Sequence, residues 1–183
     1  MTKSSKEQIV NDEKKVLNHL SKNANESINE IAKKCGFSRQ KVWRIIKNLE
    51  NNNTIWGYVA VIDKEKQGLE EYTVLIKRTA TPLKAEVLDK IIERKLDELS
   101  TKFGVNILSS FYLNGAYDWM ICFTAADIKQ AKKLCEALHI LFKGYLTELQ
   151  LLEKMFPVKK CGIINPEIER LKEFFHGVDI EKK

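Results

Sequence analysis

A chain of 183 residues that is 44% apolar and 31% charged fits one or two small folded domains, not a disordered polymer. No apolar run approaches the ~20 residues needed to cross a bilayer, and the start MTKSSKEQIVNDEKK holds no apolar leader segment. A soluble, cytoplasmic protein with no membrane partner is therefore expected. The net charge is +6, with 11 Lys and Arg against 7 Asp and Glu in residues 1–63 and 20 against 18 in the remainder, so the basic excess leans toward the N-terminus, as nucleic-acid binding requires.

In chain order, the first helix is expected from about Asp12 to Lys22, with Val16, Leu17 and Leu20 as its apolar stripe. Ser27 and Glu30 form a capping-box pattern that opens a second helix, with Ile28, Ile31 and Ala32 facing inward. A turn at Cys35-Gly36-Phe37 leads to Ser38, a good N-cap for a third helix in which Val42, Ile45, Ile46 and Leu49 recur at helical spacing. The opposite face carries Gln40, Trp43, Arg44, Lys47 and Asn51, with Arg39 and Lys41 on the flanks. Two short β segments then close a wing by about Asp63. Helix, turn, basic helix and wing at these spacings are the parts of a winged helix-turn-helix, which lays its second helix in the DNA major groove. Residues 1–63 are read as that domain, with 64–71 as a linker.

The expected DNA contacts are Ser38, Arg39, Gln40, Lys41, Trp43, Arg44 and Lys47. Arg44 and Gln40 are the types that make bidentate bonds to guanine and adenine edges. Arg39, Lys41, Lys47 and the free N–H groups at the helix start suit phosphates. Trp43 is open to two placements: over a thymine methyl or a sugar–phosphate edge, or packed under the wing near Trp56 or Tyr58.

The second half follows one plan. A strand at Thr73–Ala80 precedes a helix opened by Thr81 as cap and Pro82 at its first position, with Leu88, Ile91, Ile92, Leu96, Leu99 and Phe103 as its apolar face and Gly104 as its end. Strands at Val105–Leu113 and Tyr117–Thr124 meet through Asn114-Gly115, a pair that favours positive φ. Asp127 caps a further helix with Ala131, Leu134, Cys135, Leu138, Leu141 and Phe142 inward and Gly144 as stop. A last strand spans Leu146–Phe156. The order β-α-β-β-α-β is the ferredoxin-like plan. The fold class is thus α+β, an N-terminal winged helix-turn-helix with a ferredoxin-like domain over 72–156. One sheet face is left for a partner subunit to cover. In the extension 157–183, Asn165-Pro166 opens a final helix with Ile168, Leu171 and Phe175 on one side and Phe174 beside them, closed by Gly177. A helix this short must dock, on its own domain or on a neighbour. Met1–Val10 and Asp179–Lys183 are expected to be mobile.

Cys35, Cys122, Cys135 and Cys161 lie far apart without metal spacing, and His19, His139 and His176 sit in no motif, so neither metal nor cofactor is expected. Cys122 and Cys135 read as small buried side chains.

This arrangement resembles the leucine-responsive regulatory protein family, the Lrp/AsnC or feast-famine regulators. The match covers about residues 12–156 and is carried by Ile31-Ala32, Gly36-Phe37-Ser38, Ile46-Lys47-Asn48-Leu49-Glu50, Ile55-Trp56-Gly57-Tyr58, Ile62-Asp63 and Gly68. Gly115-Ala116-Tyr117-Asp118 is similar to the family's G-x-Y-D effector loop. Against the family pattern, Arg44 is followed by Ile45 instead of a second arginine, Trp43 replaces a small or polar residue, and LTELQLLEKMF lacks a Thr-rich run. The resemblance implies a homodimer or higher oligomer and an effector, commonly an amino acid, held near Gly115, Ala116, Tyr117 and Asp118. The function expected is a sequence-specific transcription regulator acting on double-stranded DNA, with an architectural DNA binder as the alternative. An enzymatic role is not expected. Some proteins of this two-domain plan resemble siroheme decarboxylases, but only Arg78, Arg94 and His139 offer suitable groups here.

Overall fold

The structure is a computed structural model that describes residues 6–175. The chain runs α1 (Lys6–Leu20), α2 (Ile28–Cys35), α3 (Arg39–Asn51), β1 (Glu70–Arg78), α4 (Ala85–Ile92), α5 (Lys95–Lys102), β2 (Asn106–Tyr112), β3 (Trp119–Ala125), α6 (Ile128–Leu141), β4 (Leu146–Glu153), β5 (Lys159–Lys160) and β6 (Ile163–Ile164), with short 3₁₀ turns at Glu65–Gln67 and Ile168–Phe174. It forms two compact units. Among the described residues, one holds Lys6–Val61 together with Lys159–Ile168; the other holds Ile62–Val158 and Glu169–Phe175.

In the first unit, Val16, Ile31, Ala32 and Val42 form a closed core, with Leu20, Ile28, Phe37, Ile45 and Ile46 packed against it. The α2 capping box forms as the sequence predicts: Glu30 N–H donates to Ser27 Oγ at 3.2 Å, and Ser27 N–H donates to Glu30 Oε2 at 3.0 Å. Gly36 ends α2 at φ +68°, a left-handed conformation that glycine adopts without steric cost.

Two expectations for this unit are corrected. Helix α1 starts at Lys6, well before Asp12, so Lys6–Val10 are helical; Gln8 Nε2 bonds to Asp12 Oδ1 at 2.9 Å, an i,i+4 link that supports the extra turns. Met1–Ser5 lie outside the described residues. The two β segments of the wing are not formed, since residues 55–63 run without regular structure and Trp56 is 94% exposed. With no neighbouring strand to take its backbone groups, this stretch has no ladder to join. The unit holds an unforeseen hairpin instead, β5 paired with β6 around Cys161 (φ +48°) and Gly162 (φ +84°). Both central residues at positive φ match the twist of a tight hairpin turn.

The second unit is an antiparallel sheet in the order β2-β3-β1-β4 with α4, α5 and α6 on one face, as a ferredoxin-like plan demands. Tyr72, Val74 and Ile76 of β1 and Trp119, Ile121 and Phe123 of β3 point to the helices, where they meet Val87, Leu96, Ala131, Leu134, Leu138 and Phe142. Trp119 stands edge-on to Phe142 with ring centroids 5.3 Å apart. Helix α6 behaves as expected, with Asp127 Oδ1 accepting from Gln130 N–H at 2.8 Å.

Helices α4 and α5 depart from the single helix predicted. The cap is Lys84, not Thr81, so Pro82 precedes the helix instead of opening it. The helix breaks at Arg94, which stands at φ +59°. Helix α4 turns Val87 and Ile91 inward and α5 turns Leu96 inward, while Leu88 is 43% and Ile92 76% exposed. Neither Asn114 nor Gly115 takes positive φ. The β2–β3 connection is a wider loop closed by Leu113 N–H on Asp118 O at 2.8 Å.

β4 ends at Glu153, short of Phe156. The final helix is a 3₁₀ turn, started by Asn165 Oδ1 accepting from Glu167 N–H at 2.8 Å. Its tighter winding turns Phe175 outward (75% exposed), while Phe174 packs on Phe156 at 5.6 Å. Its expected stop, Gly177, and the segment Asp179–Lys183 lie outside the described residues.

The sheet face away from the helices has an exposed apolar edge on each side of a buried Thr73. Registers align Phe111, Met120, Leu75 and Gln150 in one row across the four strands, and Ser109, Cys122, Thr73 and Leu152 in the next. Phe111 is 52% exposed and Leu152 40%.

Candidate nucleic-acid interface

Helix α3 is held from both ends. Ser38 Oγ accepts from Lys41 N–H at 3.2 Å, so the cap predicted from sequence is in place. Val42 and Leu49 seal its inner face. On the outer face Arg39, Gln40, Trp43, Arg44 and Lys47 are exposed. Arg39, Gln40 and Arg44 have no side-chain partner among the described residues, so two cations and one carboxamide stand free along one helical stripe. The first-turn N–H groups of Arg39 and Gln40 also lack acceptors there, and they add to the positive end of the helix dipole.

Two predicted contacts are engaged elsewhere. Lys41 Nζ pairs with Asp12 Oδ2 at 2.6 Å and lies over the Phe37 ring at 4.0 Å. Asp12 is buried, and its carboxyl is held below the ordinary value chiefly by the Lys41 hydrogen bond, against the opposing effect of burial. Lys41 thus fastens α3 to α1. Lys47 Nζ pairs with Glu50 Oε2 at 2.6 Å, and Glu50 Oε1 accepts from the Tyr58 hydroxyl at 3.1 Å. Burial, with Glu50 beside it, pushes the Tyr58 hydroxyl up, while Lys47 holds Glu50 down. This chain ties the segment after α3 back onto the helix. Trp43 does not reach Trp56 or Tyr58. Half exposed, it lines an open surface hollow with Ile28, Ser38, Arg39 and Gln40.

Sequence reasoning missed Asp12 and Tyr58, because both act across the fold and leave no local signal. Asn48 is a further such case, donating to Glu13 Oε1 at 2.8 Å.

In the second unit the Gly115-Ala116-Tyr117-Asp118 loop is pinned to the sheet. Asp118 Oδ2 accepts from Arg78 N–H at 2.7 Å, and Asp118 N–H donates to Ile76 O at 2.9 Å. The Tyr117 hydroxyl donates to Gln150 Oε1 at 2.7 Å and lies 3.3 Å from Glu148 Oε1. Partial burial, with Glu148 beside it, pushes the Tyr117 hydroxyl up. Gly115 and Ala116 are exposed at the loop tip. Arg78, Arg94 and His139 sit on three separate elements; Arg94 is bound to Asp97 at 2.7 Å, and His139 is exposed on α6. His19 lies 3.4 Å from Glu26, whose other oxygen meets Lys34, and His176 is outside the described residues. Among the described residues no group of three or more His, Cys, Asp or Glu converges as a metal site, and no helix is long and apolar enough to cross a membrane.

A family model described as winged helix-turn-helix DNA-binding matches residues 13–55, which span α2 and α3. No curated protein matches the chain. Solved structures do. The protein PH0061 is 22% identical, covers 90% of this chain and all of its own, and superposes with a TM-score of 0.63. An AsnC family transcriptional regulator from Agrobacterium tumefaciens is 20% identical over 85% of this chain and 96% of its own, with a TM-score of 0.61. The transcriptional regulator NMB0573 from Neisseria meningitidis, solved as a complex with L-Met, is 17% identical over 86% and 94%, with a TM-score of 0.60. At these identities the likeness is one of fold, and the fold shared is that of AsnC- and Lrp-type regulators.

Proposed function

We propose that this protein is a transcription regulator of the Lrp/AsnC family that binds double-stranded DNA as a dimer in the cytoplasm. The observation that carries this reading is the outer stripe of α3, where Arg39, Gln40 and Arg44 stand unpaired and exposed, backed by buried Val42 and Leu49. Free guanidinium groups at the start of a capped helix suit guanine edges and phosphates, and Gln40 suits adenine. Lys41 and Lys47 act indirectly, by fixing how α3 is held. A second copy covers the open sheet face, where Phe111, Met120, Leu75 and Leu152 would otherwise meet water. The dimer presents two α3 helices to major grooves about 34–36 Å apart.

The reading extends to an effector of the amino-acid type at the Gly115–Asp118 loop. Support comes from the L-Met complex of the Neisseria regulator that shares this fold, and from Tyr117, Glu148 and Gln150, which offer acceptors to an ammonium group. Asp118 serves there by shaping the loop.

Selection of bound duplexes from a random pool, with and without a panel of amino acids, tests both parts. Arg44→Ala is expected to lose about 1–3 kcal/mol on the selected site and to relax discrimination at one position. Binding of the selected site by Arg44→Ala as tight as the parent's removes the assignment. Enrichment of no motif at all favours an architectural role.

A further inference from the structure

On the groove-facing stripe of α3, Trp43 is the residue that a charge-based reading leaves unused. Its indole is 50% exposed, and among the described residues its ring stacks on no aromatic neighbour and its Nε1–H finds no acceptor. With Ile28, the first residue of α2, it walls a shallow hollow rimmed by Ser38, Arg39 and Gln40. Gln40 lies one turn before Trp43 on the same face, and its carboxamide is free. Arg39 and the free first-turn N–H groups on the rim suit a phosphate, whereas the apolar wall beside a free carboxamide suits a base edge.

Resting on the DNA-binding reading above, we propose that this hollow reads an A·T base pair in the major groove: Trp43 and Ile28 receive the thymine methyl, while Gln40 donates to adenine N7 and accepts from adenine N6. The methyl is the one apolar group on the major-groove edges of the four bases, and a carboxamide is the side chain that pairs with adenine at two points. The two chemistries occur side by side on an A·T pair, as they do around this hollow. A position filled by a charge or a small polar group would lose the first of them. 5-Methylcytosine carries the same methyl, but its partner guanine does not present the adenine pattern to Gln40.

The test uses the full chain and a duplex selected from a random pool, with affinity read by fluorescence anisotropy at one salt concentration. Each thymine is replaced in turn by deoxyuridine, which deletes the methyl alone. The parent is expected to weaken about fourfold at one thymine per half-site, the worth of one buried methyl group. Trp43→Ala is expected to bind the two duplexes equally, and Trp43→Phe to keep part of the difference. Gln40→Ala flattens the preference for A·T at that pair, and a 5-methylcytosine·guanine pair placed there restores less than thymine·adenine does. Indifference of the parent to every deoxyuridine overturns the proposal. So does a uniform weakening of all duplexes by Trp43→Ala, which assigns the indole to a sugar–phosphate edge. If no motif is enriched, the regulator reading falls as well, whereas an enriched motif without a methyl effect removes the Trp43 assignment alone.

Discussion

The Lys41–Asp12 pair gives the sharpest test of how α3 is held. Lys41→Met keeps the apolar stem over Phe37 and removes the ammonium that lies 2.6 Å from Asp12 Oδ2. The Asp12 side chain is 5% exposed, and Gln8 is then its remaining hydrogen-bond donor. Leaving a buried carboxylate short of partners costs about 1–3 kcal/mol. The 3–5 kcal/mol of a fully buried pair does not apply, because the Lys41 side chain is 43% exposed. In a unit of this size each kcal/mol moves the midpoint by about 4–8 °C, so melting followed by circular dichroism should fall by roughly 5–20 °C. The pair also sets an acid limb. The folded-state pKa of Asp12 is the lowered one, so the stabilisation is complete above the ordinary carboxylate value and is lost as pH falls through the folded value. The variant's stability should therefore depend less on pH in that window. Because Lys41 faces Asp12, the salt dependence of DNA binding should keep its slope in Lys41→Met, while Arg39→Ala, which removes a phosphate contact, should take about 0.9 off it. A variant that melts like the parent and loses about one unit of salt slope refutes the reasoning, since Lys41 would then be a DNA contact.

Three further outcomes are expected. Met120→Glu puts a charge in the middle of the second sheet face and should convert the proposed dimer to monomer in light scattering, with the fold kept by circular dichroism. Gly36→Ala should cost about 1 kcal/mol in chemical denaturation through its left-handed φ alone, since an added Cβ meets nothing within 4 Å, and Gly36→Asn should cost less. Burial pushes the Cys135 thiol up to about 11, so at pH 8 about one thiol in a thousand is ionised and labelling by a disulfide reagent should wait on unfolding, whereas exposed Cys161 reacts at once.

What the sequence made legible was local. Ser27-x-x-Glu30, Ser38 and Asp127 each act on backbone groups three residues away, so their effect is written beside them. The periodicity of α6 was equally direct. The break at Arg94 was not, because no glycine or proline marks it, and the inner face of α4 runs through Val87 and Ile91, leaving Leu88 and Ile92 at the surface. The missing wing strands and the added β5–β6 hairpin both turn on strand pairing, which periodicity does not report. At the candidate interface, residue type singled out Arg39, Gln40 and Arg44, whose side chains the structure leaves exposed. It gave no sign of the Lys41–Asp12 pair, since whether a lysine is free depends on a carboxylate 29 positions earlier in the chain.

The clasp between Asp118 and the backbone N–H of Arg78 has a consequence for how such loops are read. Removing the carboxylate would strand an amide at the end of the central strand, so folding alone is sufficient reason for an aspartate there. A glycine-tyrosine-aspartate signature in the turn after the second strand is therefore a record of how the sheet is fastened. Proteins that never met an effector, or that ceased to use one, would have the same cause to carry it.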